Sequence, residues 1–316
     1  MSSFFSAILN AEFVYSVLRV TTPILFATLG ALISDKAGVM NIALEGIMLI
    51  AALCGVIFSA ITGSAWVGFL GAIAAGAAVG LLLGYCALNL KTDIILSGVA
   101  INLMASGGTI FLLFLVAGDK GISSSLPSKV LPKLDIPGLS SVPVLGTMLS
   151  GHNVLTYLAF LSVLAIAVFI YKTPMGLRIR AVGENPNAAD SVGISVKRTQ
   201  YLAIVLSGIL AGMGGAYMSM GYVSWFSKNM TAGRGFIALA AEAMGGATPL
   251  GCLLTSLLFG FFDALSNTLQ LLKIPSEFVN MIPYVATVIG LVIYTINKTA
   301  REREALSREA GKKREA

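Results

Sequence analysis

Charged side chains are scarce in this sequence. Asp, Glu, Lys and Arg make up 11% of its 316 residues, against about a quarter in an average soluble domain. So little charge excludes a water-surrounded globule of this size. Histidine occurs once, as His152, and one imidazole does not make a metal site. The three cysteines, Cys54, Cys86 and Cys252, include no C-x-x-C pair, so each reads as a small hydrophobe rather than a zinc or redox ligand. No G-x-x-x-x-G-K-S/T loop occurs. Without backbone N–H groups that cradle phosphates and a lysine that reaches them, the chain is not expected to hydrolyse ATP. Paired Asp/His constellations and nucleophile motifs are also lacking, so no catalytic residue is assigned. Glu12 and Arg19 interrupt the N-terminal region, and no cleavable signal pattern is expected.

Apolar runs are what the sequence has in abundance. Hydrophobic residues make up 56% and mean hydropathy is +0.87. A hydrocarbon core of about 30 Å takes roughly 20 apolar residues per helix. Runs of that length are read at Val17–Ile33, Val39–Thr62, Trp66–Leu90, Ile94–Ala117, Val154–Tyr171, Tyr201–Val223, Pro249–Leu272 and Phe278–Ile296. Ser2–Tyr15 reads as a short interfacial helix. Gly235–Gly246 is apolar but too short to cross alone. Many of the 34 glycines sit inside the runs, as at Gly76, Gly80, Gly208 and Gly212, where small residues let helices approach closely in lipid. The expected fold is all-α, a polytopic transmembrane helical bundle of about nine spans (eight to ten) over residues 1–296.

Lysine and arginine orient it. Twelve of the 21 basic residues lie in the connection 172–200 and the charged tail 297–316, which places both in the cytoplasm. The proline-bearing loop 118–153 and the N-terminus then fall outside. Parity requires the short Gly235–Gly246 element to take part in a crossing, as a broken helix with its neighbours. Basic residues at membrane boundaries account for the net charge of +6 without nucleic acid.

The connection carries the most informative string. Asn185 is placed to cap a helix that starts at Pro186, Ala188 and Ala189 are helix formers, and Gly193 can end it after about two turns. A short helix with a small-residue face suits docking into a groove of another protein; an ordinary connecting helix is the alternative. The pattern Asn-x-x-Ala-Ala-x-x-x-Gly-Ile at Asn185–Ile194 resembles the coupling loop of ABC importer permeases, most of all the sugar/nucleoside branch. Ser207-Gly208-Ile209-Leu210-Ala211-Gly212 is similar to the span that follows it there. Gly38-Val39-Met40-Asn41-Ile42-Ala43-Leu44-Glu45-Gly46, with Met48-Leu49, is similar to the signature of nucleoside permeases. Gly235-Phe236-Ile237-Ala238-Leu239-Ala240 with Pro249-Leu250-Gly251 gives a third match. The resemblance implies a subunit that pairs with a second, homologous permease, a separate ABC ATPase that holds ATP and Mg, and an extracellular substrate-binding lipoprotein, all in a bacterial plasma (inner) membrane. It assigns Glu184, Asn185, Pro186, Ala188, Ala189, Gly193 and Ile194 to ATPase coupling. No cofactor is expected in this chain.

Polar groups inside spans are costly and so are candidates for the solute path. Asn41 and Glu45 stand four apart on one helix face. Glu45 reads either as a path or gate residue, or as a structural carboxylate satisfied by another helix or a helix N-terminus. Glu242 follows Gly235 as Glu45 follows Gly38, an echo of an internal repeat. Asn102, Asp263 and Asn267, with Gln270 three further on, complete the set; interhelical hydrogen bonding is their ordinary alternative. Phe259, Phe261 and Phe262 read as packing or lipid-facing groups, with base stacking the sharper alternative. The expected function is a nucleoside-translocating permease subunit. The alternatives are the same machine for simple sugars or riboflavin, or an ion-coupled secondary carrier that uses Glu45, Glu242 or Asp263.

Overall fold

A computed structural model describes residues 10–135, 145–221 and 223–270, and then 281, 285, 287–290, 292, 295 and 296. Seven helices among them are long and apolar enough to cross a membrane. These are α1 (Ala11–Lys36), α2 (Leu44–Thr62), α3 (Ala65–Gly84, continued by a π turn Tyr85–Asn89), α4 (Ile94–Ala117), α6 (Val154–Lys172), α9 (Val196–Met220) and α11 (Pro249–Leu269). Between them lie α5 (Leu145–Leu149), α7 (Pro174–Glu184), α8 (Pro186–Ser191) and α10 (Arg234–Met244). Strands β1 (Lys133–Leu134) and β2 (His152–Asn153) pair antiparallel. Seven expected crossings thus have their helices. The eighth, Phe278–Ile296, lies largely outside the described residues, as do the tail and most of the Ser2–Tyr15 segment, whose end instead begins α1.

α1 forms the centre of the bundle. From Thr21 to Ser34 every residue is buried, as expected of a helix that is apolar on all sides. α9 and α11 pack against it, with α10 and α6 beside them, and α3 lies on α9 through glycines. A Cβ on Gly76 would stand 2.3 Å from the Gly208 carbonyl oxygen, and one on Gly208 2.4 Å from that of Gly76. No side chain fits there, and the two backbones meet directly. Among the seven described spans α4 is the least covered, with Leu96, Leu103 and Leu115 exposed, which suits an apolar surrounding.

One end of the bundle is tied by polar contacts. Asn153 Nδ2 donates to the carbonyls of Leu131 and Gly221 at 2.8 and 2.9 Å, and Ser123 and Phe226 exchange hydrogen bonds. His152 is buried, stacked 3.9 Å from Tyr15, and burial pushes its imidazole below the ordinary histidine range. Gly221 and Phe226 are therefore held at the same end as loop 118–135. α10 begins inside the bundle and runs toward the opposite end, antiparallel to α11. Thr255 Oγ1 donates to the Ala241 carbonyl at 2.6 Å, and Arg234 pairs with Asp263. The chain from Phe226 to Met244 thus runs from that end toward the opposite one, and among its residues the helical part is α10. With 11 residues, α10 is about 16 Å long, half a hydrocarbon core.

The glycine contact gives a direct expectation. Gly208→Val should lower the thermal unfolding midpoint of the detergent-solubilised protein by several degrees. Gly107→Ala, whose Cβ meets nothing within 4 Å among the described residues, should leave it unchanged. Equal midpoints would show that the α3–α9 approach is not a tight contact.

Candidate functional site

A helix that starts inside a bundle leaves its first N–H groups without intrahelical partners and carries a positive dipole end. Glu45 meets that need at α10. One carboxylate oxygen accepts from the Thr231 hydroxyl at 2.6 Å and the Gly233 N–H at 2.8 Å, and the other accepts from the Gly235 N–H at 2.7 Å. The approach requires glycine on the α10 side. Gly233 takes φ +78°, and a Cβ on Gly235 would lie 2.4 Å from the Glu45 nitrogen. Beside this contact Arg234 Nη2 donates to Asp263 Oδ2 at 2.8 Å, and both side chains are partly exposed, at 16% and 14%. Sequence reasoning missed Arg234 and Thr231. The signal available was an arginine set between two glycines at the head of an apolar run, with an aspartate in the next span.

Two asparagines hold the turn that brings Glu45 into place. Asn41 is fully buried. Its Nδ2 donates to Ser207 Oγ at 2.9 Å, and its Oδ1 accepts from the Ala43 N–H at 3.0 Å. Asn102 reaches from α4, donating to the Ile42 carbonyl at 2.9 Å and accepting from the Gly46 N–H at 2.8 Å. Of the six residues proposed for the solute path, Asn41, Glu45 and Asn102 therefore spend their polar groups inside the chain, on a turn, on helix starts and on Ser207 of α9. Glu242 lies near the other end of α10, 5% exposed, and its Oε1 has no hydrogen-bond partner among the described residues. It is far along α10 from Glu45, so the sequence echo does not bring the two together. Asp263 pairs with Arg234, and Asn267 is exposed. Phe259 is buried, while Phe261 is exposed and packs edge-on against Phe13.

The connection between α6 and α9 folds as two short helices. Thr173 caps α7 by accepting from the Gly176 N–H, and Asn185 caps α8 by accepting from the Ala188 N–H at 3.0 Å. Pro174 and Pro186 stand at the first positions, where a missing N–H costs nothing. Gly193 takes φ +82° just past α8, and the Ile194 N–H returns to the Ala189 carbonyl at 3.0 Å. Glu184, Asn185, Pro186 and Ala188 face outward, Ile194 is half-buried, and Ala189 is 4% exposed and packs inward. Val192 and Leu177 are large apolar groups left exposed, at 75% and 60%. Beside them a cleft of about 410 Å³ is bordered by Arg178, Arg198, Met175, Val192 and Ile194. The connection rests on the core through the buried Ile179, Val182 and Ala189, and also through backbone. A Cβ on Gly183 would lie 2.2 Å from the Lys36 carbonyl oxygen, so the end of α7 touches the α1–α2 turn through backbone.

Long apolar helices around a half-length helix, with a pair of short helices standing outside the spans, define a multi-pass helical membrane protein. The family model described as branched-chain amino acid transport system, permease component, matches residues 13–296, and the chain belongs to that family. It is 38% identical over 297 residues to the guanosine ABC transporter permease protein NupQ of Bacillus subtilis, covering 90% of this chain and 91% of that one. It is 36% identical to the nucleoside ABC transporter permease protein NupC of Lactococcus lactis, covering 89% and 91%. A Haloferax volcanii relative named for glucose is 35% identical over 86% of this chain and 80% of its own length. The fold is similar to that of an ABC transporter solved in an inward-facing conformation, with a TM-score of 0.50 at 17% identity, over 90% of this chain and 85% of that one.

Two substitutions separate the carboxylates. Glu45→Ala removes three hydrogen bonds to α10 and should lower the thermal midpoint, with Glu45→Gln intermediate because one acceptor oxygen remains. The loss expected for Glu45→Ala is about 2–4 kcal/mol, from charge-assisted bonds and orphaned donors. Glu242→Leu should hold or raise the midpoint, since it removes a buried group with an unsatisfied oxygen. The reverse order would contradict both roles.

Proposed function

We propose that this chain is one of two permease subunits of an ABC importer for nucleosides, in a bacterial plasma membrane. The second subunit is a homologous permease. A separate ATPase binds ATP and Mg²⁺ and drives the cycle, and an extracellular lipoprotein delivers the solute. In this reading the N-terminus is outside and the tail and α7–α8 connection are cytoplasmic, in line with the placement of lysine and arginine. No nucleic acid takes part.

The observation that carries the coupling is the build of α8. It is capped at one end, closed by a left-handed glycine at the other, anchored by Ala189, and bordered by uncovered apolar groups at Leu177 and Val192. Exposed apolar surface next to a rigid short helix outside the spans suits a protein groove. The Gly183 contact with Lys36 gives that helix a stiff footing on the α1–α2 turn. The nucleoside cargo is supported by the names of the two relatives that match over about nine-tenths of the chain. The relative named for glucose keeps sugars as the second cargo. The ion-coupled carrier draws less support, because two of its three carboxylates, Glu45 and Asp263, are already engaged by donors within the chain, which leaves Glu242.

The test is transport by the assembled complex in proteoliposomes. Ala188→Glu, on the outward face of α8, should cut ATP-driven guanosine uptake at least tenfold while the permease still inserts and folds. Ala189→Glu should instead lower the yield of folded protein, because Ala189 packs inward. Wild-type uptake by the Ala188→Glu complex, or uptake by this chain without an ATPase, would overturn the reading.

A further inference from the structure

α11 shows two faces of opposite character. Leu250, Leu254, Leu258 and Phe261 repeat at helical spacing and are all exposed, a stripe suited to lipid. Ser256, Gly260, Asp263 and Asn267 repeat at the same spacing on the opposite side, since 100° per residue sets the two stripes roughly half a turn apart. The first half of this second stripe is packed. Ser256 Oγ donates to Thr28 Oγ1 at 3.2 Å, and Gly260 lies against Thr21. Beyond Gly260 the stripe is no longer sealed. Asp263 keeps 14% exposure in its pair with Arg234, and Asn267 is exposed.

α1 changes at the same level. Thr21 to Ser34 are buried without exception, whereas Val14 to Val20 are all partly exposed. The bundle therefore opens above the Thr21–Gly260 contact, and the head of α10, with Arg234, lies at the base of that opening. Its depth follows from helix length, because Asp263 stands about 21 Å along α11 from Pro249 and so lies well inside a 30 Å core. An ion pair with open surface at that depth is too costly to leave against hydrocarbon, and such groups face water-filled cavities or the bundle interior.

We infer that Asp263, Asn267 and Arg234 form the polar wall of the solute path in the half of the bundle above α10. This rests on the importer reading and adds to it the place and chemistry of recognition. The Arg234–Asp263 pair is neutral as a unit, so the wall favours neither cations nor anions. It offers guanidinium and amide donors beside carboxylate and amide acceptors. That set fits a neutral, hydroxyl-rich solute such as a ribosyl or hexosyl ring. Glu45 is not part of the wall, since both its oxygens are held by α10.

The test uses the assembled transporter in which Cys54, Cys86 and Cys252 are replaced by alanine and transport is retained. Single reporters are then placed as Asn267→Cys and Leu258→Cys. A charged, water-soluble methanethiosulfonate should modify position 267 and not position 258, while N-ethylmaleimide in the lipid phase reaches 258. Guanosine should slow modification at 267 at least tenfold. Modification of 267 only from the lipid phase, or by neither reagent, overturns the inference. If ribose or glucose protects and guanosine does not, the wall stands and the nucleoside cargo falls. If none protects, the recognition role falls. The paired variant Arg234→Gln with Asp263→Asn removes both charges without leaving one unpaired. It should raise the KM for uptake about tenfold in a complex that assembles normally, and an unchanged KM would overturn the role of the pair.

Discussion

The carboxylate of Glu45 at the head of α10 is the contact on which the centre of this protein depends. A helix of half length that starts inside the bundle has no intrahelical partners for its first amide groups, and each donor left unsatisfied there is costly. Glu45 supplies both the acceptors and the negative charge that a helix N-terminus requires. The contact fixes more than one element. It ties the start of α2 to the start of α10, and so demands glycine at position 235. Asn41 and Asn102 then hold the α1–α2 turn at the one position from which Glu45 reaches.

This arrangement explains how a chain of apolar helices can carry a polar interior. Because α10 covers only half the depth, the other half is left to irregular chain and to side chains of α1 and α11. Non-helical backbone at membrane depth is tolerated where it is buried in protein, and Phe226 and Thr231, ahead of α10, are both fully buried. At the opposite end, the backbone contact of Gly183 with the α1–α2 turn places the connecting helices on the same turn that carries Asn41. The turn is thus shared by the proposed docking helix and by the residue that positions α10.

Much of this was legible in the residues. Seven spans follow from apolar runs of sufficient length, and the α8 cap was readable from Asn185-Pro186 and its end from Gly193. The element near Gly235 was readable as too short to cross alone, though the partner that holds its start was not. The pairing of Glu45 with α10 was not legible, because 186 residues separate it from Thr231 and no periodicity links them. One structural reading of Glu45, satisfaction by a helix N-terminus, named the right kind of partner but not which helix. Arg234 stayed hidden because a lone arginine between glycines has no evident partner until Asp263, 29 residues on, is folded against it. Ala188 and Ala189 looked equivalent as neighbours in a string, yet the first faces outward and the second inward, a distinction that only the packing of α8 supplies.

The most direct measurement is amide hydrogen exchange across α10 in the wild type and in Glu45→Ala. If the carboxylate holds the head of this helix, exchange at Gly233–Phe236 rises at least tenfold in the variant, while amides of α3 are unaffected. Equal exchange at Gly233–Phe236 in the two proteins would contradict the account.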